Sequence, residues 1–337
     1  VKGNSNESVG AVASAEVLWE TFGTDVTPNV GDLIKSVSYK DGEITFQTAD
    51  TFKEGNAVIA AKDASGTILW SWHIWLTDEP QGQEYYNNAG TMMDRNLGAT
   101  SATPGDVGAL GLLYQWGRKD PFLGSSSISS SEQAVSTGTW VNDSSGDREK
   151  SDVNPMTFYS GMNLPNDSWS TQKTIYDPCP AGWRVADGGG DGVWATAVGL
   201  SDYIRSYDDT NKGMNFSGDF GNDAIIWYPA SGYLDCTADG NLGYVGSAGF
   251  YWSCSLNSSN SYYAYELNLR NNGYAYPATY DNYRSEGKAV RCLKEGTGGG
   301  PYESDFPTSG AYDLADSGSA NSYIVSSSGT YSIPAVK

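Results

Sequence analysis

The sequence predicts a mainly β fold, and three features carry that expectation. Glycine occurs 41 times, and aromatic residues make up 13% of the 337-residue chain against 18% charged, a balance suited to strands and turns. Short apolar stretches are broken at close intervals by turn-forming residues. Long runs of helix formers with helical periodicity are scarce. The length admits two ordinary domains or one large one. The chain divides into an incomplete β-sandwich over 1–80, a second domain over 81–295, a Gly-rich linker over 296–301 and a tail over 302–337.

Over 1–80 the strands follow one another in short steps. Residues 16–22, 34–39 and 43–48 are apolar stretches with turn signals between them, Lys40-Asp41-Gly42 included. Residues 56–61 and 67–76 are the clearest pair, because Lys62-Asp63-Ala64-Ser65-Gly66 reads as a hairpin loop with glycine at its exit. In the second of these, alternation sets Ile68, Trp70, Trp72 and Ile74 on one face, the face expected to be buried, and Leu69, Ser71, His73 and Trp75 on the other. Asp78-Glu79-Pro80-Gln81-Gly82 is a polar break, after which longer Gly- and Ser-rich loops separate aromatic clusters.

Gly296-Thr297-Gly298-Gly299-Gly300-Pro301 reads as a flexible linker. Beyond it, residues 321–325, a Ser326-Ser327-Ser328-Gly329 loop and residues 330–336 have the pattern of a β-hairpin. A lone two-stranded hairpin is marginal in water. Tyr323, Ile324, Val325, Tyr331, Ile333 and Val336 therefore need a sheet or core from elsewhere, either on their own chain or, by β-augmentation, on an acceptor.

A formal charge of −20, from 20 basic and 40 acidic residues, would repel phosphate backbones, and no Lys/Arg cluster interrupts it. Nucleic acid is thus not an expected partner. No apolar run approaches the length of a membrane span, and the chain opens without a basic segment and apolar core of the leader type, the pattern of a processed product. The four cysteines, Cys179, Cys236, Cys254 and Cys292, include no CxxC pair, so disulfides are the expected use, with three pairings open.

Catalytic chemistry finds little support. His73 is the only histidine and sits in a Trp-rich strand, which argues for a packed sheet residue and excludes a histidine-based metal cluster. Paired carboxylates are recognised by spatial separation, and no motif marks such a pair. Asp187-Gly188-Gly189-Gly190-Asp191-Gly192 lacks the Lys-Ser/Thr of a P-loop and the distal Glu of a calcium loop, and reads as a solvated turn, as does Asn142-Asp143-Ser144-Ser145-Gly146-Asp147. No cofactor and no enzymatic activity are expected.

Five ordered motifs occupy the middle of the chain: Met93-Asp94-Arg95-Asn96-Leu97-Gly98-Ala99, Gly111-Leu112-Leu113-Tyr114-Gln115-Trp116-Gly117-Arg118-Lys119-Asp120-Pro121-Phe122, Tyr176-Asp177-Pro178-Cys179-Pro180-Ala181-Gly182-Trp183-Arg184-Val185, Tyr251-Trp252-Ser253 and Lys288-Ala289-Val290-Arg291-Cys292. Together they resemble the FISUMP-type "major paralogous domain" of surface proteins of Bacteroidota and Fibrobacterota, over residues 85–294. The resemblance implies a C-type-lectin-like fold, making the chain mainly β with a few short helices and α+β in its central part, and an extracellular location on a bacterial cell surface. It implies the nested disulfides Cys179–Cys292 and Cys236–Cys254, the second being an optional extra in such domains. The signatures of calcium-dependent sugar sites do not occur in the expected late positions. Tyr262, Tyr263, Tyr265, Tyr274 and Tyr276, with Tyr280 and Tyr283, remain as aromatic candidates to contact a host glycan or protein ligand.

Residues 1–80 are similar to the Ig-like sandwich that often precedes this domain in Bacteroides-type proteins. There a strand like Ala320-Asn321-Ser322-Tyr323-Ile324-Val325 and Gly329-Thr330-Tyr331-Ser332-Ile333-Pro334-Ala335-Val336-Lys337 comes before the sandwich; here it ends the chain. The displacement implies a groove at one end and its filling at the other. Head-to-tail completion between copies would then build a fimbrium or pilus, with self-completion by the tail or a unit of a tandem array as alternatives. A start at Val1 and an end at Lys337 are compatible with processing at basic sites in such pilins.

Overall fold

Five strands make up the N-terminal sandwich: β1 (Ser14–Thr21), β2 (Ile34–Lys40), β3 (Glu43–Thr48), β4 (Gly55–Lys62) and β5 (Ile68–Leu76). The computed structural model describes residues 1–199, 203–296 and 310–336. Most of the expected linker, 297–301, and the first residues of the tail, 302–309, lie outside the described residues. β1, β4 and β5 form one antiparallel sheet, and β2 and β3 belong to another. Local chemistry sets the turns. Asp41 and Gly42 both have positive φ (51° and 91°), the backbone of a tight two-residue hairpin. Asp63 Oδ1 accepts from the N–H groups of Ser65 and Thr67 and closes the β4–β5 loop.

Each sheet is finished by the tail. Ser322–Val325 pairs parallel with β5, and Thr330–Pro334 pairs antiparallel with β3. The expected hairpin is therefore corrected: the two tail strands lie in different sheets and the Ser326–Gly329 loop crosses the sandwich between them. Alternation explains why. Tyr323 and Val325 on one strand and Tyr331 and Ile333 on the other point into the same interior, and that interior buries them at 4% exposure or less. Tyr312–Asp313 adds a short parallel edge to Thr330–Pro334.

The expectation of a single buried face on β5 is also revised. Trp70, Trp72, Ile74 and Leu76 line the sandwich interior. Trp75, with Val58 and Trp19, packs into a second core against Met93, Leu97, Leu112, Tyr114 and Trp116. β4 and β5 are thus the middle layer between the second sheet and the rest of the chain, and near-continuous burial follows.

Among the described residues the larger part of the chain is mainly β, with two short α-helices, Arg148–Val153 and Val193–Val198. Its long sheet runs in the order Tyr203–Ile204, Tyr274–Tyr276, Tyr263–Arg270, Ala248–Leu256, Gly287–Ala289, Tyr233–Asp235, Asn241–Gly243. A four-stranded sheet, Trp183–Val185, Cys292–Lys294, Gly90–Met93, Gly82–Tyr85, lies beside it. Residues 142–147, expected as a solvated turn, belong to the strand Val141–Asp147, which runs parallel to Thr157–Asn163, and Asp147 caps the first helix by accepting from Lys150 N–H.

The five motifs are where this part holds itself together. Asn96 Oδ1 accepts two hydrogen bonds from Arg291, whose guanidinium lies 3.8 Å from the Tyr228 ring centroid. The Trp116 and Trp252 indoles donate to the carbonyls of Ser253 and Tyr114, tying two motifs reciprocally. Asp177 accepts from the N–H groups of Cys179 and Val185 and pairs with Lys173, with both charged side chains at 2% exposure or less. Most buried polar atoms at these positions are hydrogen-bonded, with Arg291 Nη1, Tyr114 OH and Arg118 Nε as exceptions, and this bonding accounts for the residue types without calling on chemistry.

Cys179 and Cys292 form a disulfide that closes a span of 113 residues. The Cys236–Cys254 bridge is corrected: both are free thiols. They belong to different cores, Cys254 beside the Cys179–Cys292 bridge and Cys236 at the edge of the core built on Tyr228, Leu234 and Tyr251, so their side chains do not meet. Alkylation of the denatured, unreduced protein is expected to label Cys236 and Cys254 and to spare the other two. Replacing Cys179 and Cys292 by serine should lower stability by about 4–5 kcal/mol, on the chain-entropy scale for a loop of this length, measured by urea unfolding.

Candidate strand-acceptor groove

Taking the tail strands away leaves two open edges facing one apolar cleft, the free side of β5 in one sheet and of β3 in the other. Unpaired edge groups invite another strand. The tail supplies the pairing: His73 N–H donates to the Asn321 carbonyl (2.8 Å) and Thr77 N–H to that of Val325 (3.1 Å), while Thr330–Pro334 runs along β3 from Gln47 to Glu43. Beyond Pro334 the N–H groups of Ala335 and Val336 both donate to the Gly42 carbonyl, 2.9 and 3.0 Å away. A Cβ on Gly42 would stand 2.9 Å from the Val336 carbonyl oxygen, so this turn admits the tail because it carries no side chain.

Inside the cleft the side chains interlock. Tyr331 stacks on Phe46 with ring centroids 5.5 Å apart, and Tyr312 meets Tyr331 edge-on at 6.2 Å. Leu314, Ala320, Tyr323, Val325, Tyr331, Ile333 and Ala335 are all buried in the core formed with Val9, Ile44, Phe46, Ile59, Trp70, Trp72 and Ile74. Their burial contributes on the order of 10 kcal/mol gross, before the cost of ordering the segment. Of the donor-strand residues expected from sequence, Tyr323, Val325, Tyr331 and Ile333 face this core and Val336 packs at its edge. Ile324 points the other way, onto the core shared with the second part of the chain.

Polar contacts set the register. The Trp70 indole donates to Asn321 Oδ1 (3.1 Å), and Asn321 Nδ2 donates to the carbonyls of Ile175 (2.7 Å) and Asp177 (2.9 Å). One tail asparagine therefore grips the sandwich and the disulfide-bearing loop together. The Val1 ammonium reaches the Pro334 carbonyl, and the Val1 carbonyl accepts from the Trp72 indole at 3.3 Å. The sequence marked neither Asn321 nor Val1 for these contacts, because nothing local tells which distant groups a residue will bond.

His73 lies at the seam. One ring nitrogen contacts Ser322 Oγ (2.9 Å) on the tail and the other Asn56 Oδ1 (2.7 Å) on β4. The three resemble a nucleophile–base–orienter row, but all are buried from solvent, and desolvation pushes the imidazole down to about 3. What the row does is hold the tail strand.

The expected ligand-contact tyrosines fall into separate groups. Tyr262 is exposed; Tyr263 faces Tyr283 at 4.8 Å across paired strands; Tyr265 is half-buried against the backbone of Gly188 and Gly189. Tyr274 stacks parallel on Tyr276 at 5.8 Å, and Tyr276 meets Tyr280 at 4.5 Å. Pairing register sets Tyr263 and Tyr283 on the face of Leu267 and Leu269, and Tyr276 on that of Asn268. The five do not form one platform.

Among the described residues Asp235, Cys236 and Glu286 are the group whose ligand atoms converge, within 4.8 Å. The Lys288 ammonium already stands 2.7 Å from Glu286, and burial pushes the Cys236 thiol up to about 11. One of the three candidate ligands, Glu286, is thus already paired with an ammonium. No helix among the described residues is long and apolar enough to cross a membrane. Comparison with models of known protein families, with curated proteins and with solved structures returned no match.

The seam makes the fold acid-sensitive in a defined way. His73 has a folded pKa depressed to about 3 against an unfolded value near 6.5, so the unfolded chain takes up its proton first as pH falls. The stabilisation is complete above about pH 6.5 and declines by about 1.4 kcal/mol per pH unit below it, until pH nears the folded value. Urea midpoints from pH 7 to 4 are expected to fall more steeply for the wild type than for His73→Gln; parallel curves would contradict this.

Proposed function

We propose that this chain is a structural subunit of an extracellular bacterial filament or pilus, assembled head-to-tail by donor-strand exchange, with a lectin-like central domain displayed for adhesion. The observation that carries the reading is that both sheets of the N-terminal sandwich are finished by strands from the other end of the chain. Their contacts with β3 and β5 are the same whichever copy donates them. Donation to the next copy joins two unlike ends, a heterologous contact that propagates. The Cys179–Cys292 bridge suits an oxidising, extracellular setting on the bacterial surface, and the FISUMP-type resemblance supports a place among surface proteins of Bacteroidota. Exposed Tyr262, Tyr274 and Tyr283 are available to stack on a host glycan or to anchor a protein ligand.

One observation favours a second reading, a non-polymeric cell-surface adhesin or glycan-binding module: in a single chain the tail lies in its own groove. Size-exclusion chromatography with light scattering separates the two. Full-length protein, partly unfolded and refolded at high concentration, is expected to give a ladder of oligomers. A chain lacking residues 320–337 should remain monomeric and bind a synthetic peptide of that sequence. Assembly by the truncated chain would overturn donor-strand exchange; a full-length chain that stays monomeric throughout favours the adhesin. Ile333→Asp, placing a charge in the apolar cleft, should cost about 3–5 kcal/mol and abolish peptide capture when built into the peptide.

A further inference from the structure

A second buried cluster lies away from the groove, in the long sheet. The Lys288 side chain is fully buried on the Gly287–Ala289 strand, its ammonium 4.3 Å from the Trp252 ring centroid and 5.3 Å from that of Phe250. It contacts Glu266 Oε2 and stands 2.7 Å from Glu286 Oε2. The other Glu266 oxygen, Oε1, accepts from Asn268 Nδ2 at 2.8 Å, and Asn268 Oδ1 accepts from Arg270 Nε, also at 2.8 Å. Glu266 and Asn268 are themselves 1% and 0% exposed. One carboxyl group therefore spans an amine and a primary amide in an aromatic, water-excluded box, with a guanidinium on the amide oxygen.

Each of these groups has a place in amide exchange. We propose that Lys288 and Asn268 become joined by an isopeptide bond between Nζ and Cγ, with Glu266 as the proton carrier. In the first step Nζ passes one proton to Glu286, 2.7 Å away and with its carboxyl pushed up by burial, leaving a neutral amine and a carboxylic acid. The Nζ lone pair attacks Asn268 Cγ after a side-chain rotation that carries it past Glu266 Oε2. The Arg270 N–H stabilises the oxygen as it gains negative charge. Glu266 takes a proton from Nζ on one oxygen and delivers one to Nδ2 from the other. The Cγ–Nδ2 bond breaks and Nδ2 leaves as ammonia; the Nζ–Cγ amide remains. No oxidant or cofactor enters. The bond would join the Tyr263–Arg270 and Gly287–Ala289 strands across Ala248–Leu256, which lies between them in the sheet.

Mass spectrometry of the reduced, denatured wild-type protein tests this without a variant. The expected mass is that of the sequence less one ammonia, and tryptic digestion should yield a branched peptide holding both Lys288 and Asn268, with no cleavage after Lys288. Lys288→Arg and Asn268→Ala should each restore the full mass. A mass equal to that of the sequence, with both residues in linear peptides, overturns the proposal. So does loss of water, which marks a bond to Glu266 or Glu286, or loss of ammonia without a branched peptide, which marks a succinimide. None of these outcomes depends on whether the chain polymerises.

Discussion

The interior of the N-terminal sandwich is completed by side chains from residues 314–335, and most of the molecule's organisation follows from that dependence. Without them β3 and β5 are edge strands beside an apolar cleft, and a five-stranded sandwich with two open edges would pair with other chains and aggregate. With them, the cleft closes, both edges are paired, and the layer formed by β4 and β5 is fixed between two cores. Asn321 extends the same constraint to the disulfide-bearing loop through its two carbonyl partners. The tail is thereby a structural element of both parts of the chain.

The second part is organised by a different device. Its motif residues are buried polar or aromatic groups that bond to one another: Asn96 with Arg291, the Trp116 and Trp252 indoles with backbone carbonyls, Lys119 and Asp120 with Ser71 of β5. Such networks specify one arrangement because a half-satisfied buried group is costly. They also explain a catalysis-like residue vocabulary in positions without solvent access. The Lys288, Glu266 and Asn268 cluster differs in that its groups are a nucleophile, a proton carrier and an acylating amide set side by side.

Much of the sandwich was legible along the chain, since β3 ends where its alternation ends and the Lys62–Gly66 loop sits between β4 and β5. Turn chemistry and a two-residue period are local signals. The hairpin expected of the tail failed because adjacency in sequence suggests pairing, whereas Ser322–Val325 and Thr330–Pro334 each find a longer, better-packed edge in a separate sheet. The Cys236–Cys254 bridge failed because the turn that carries Cys236 and the strand that carries Cys254 place the two thiols in different cores. Burial of the second face of β5 was hidden in residues such as Ser71, whose polarity reads as solvent-facing until Lys119 and Asp120 arrive to satisfy it; His73, expected as a packed sheet residue, finds its partners in Asn56 and Ser322.

The sequence by itself determined the mainly β class, most strand positions in 1–80, the need of the tail for an outside sheet and the short list of cysteines able to bridge. Those properties arise from residues a few positions apart, where periodicity, turns and composition act directly. Only the tertiary structure decided which edge each tail strand would take, that the packed His73 would bond Ser322 on the tail and Asn56 on β4, which cysteines meet, and that Lys288 would share one carboxyl with Asn268. These depend on groups far apart in the chain, and only the packing of sheets against one another brings their atoms within reach.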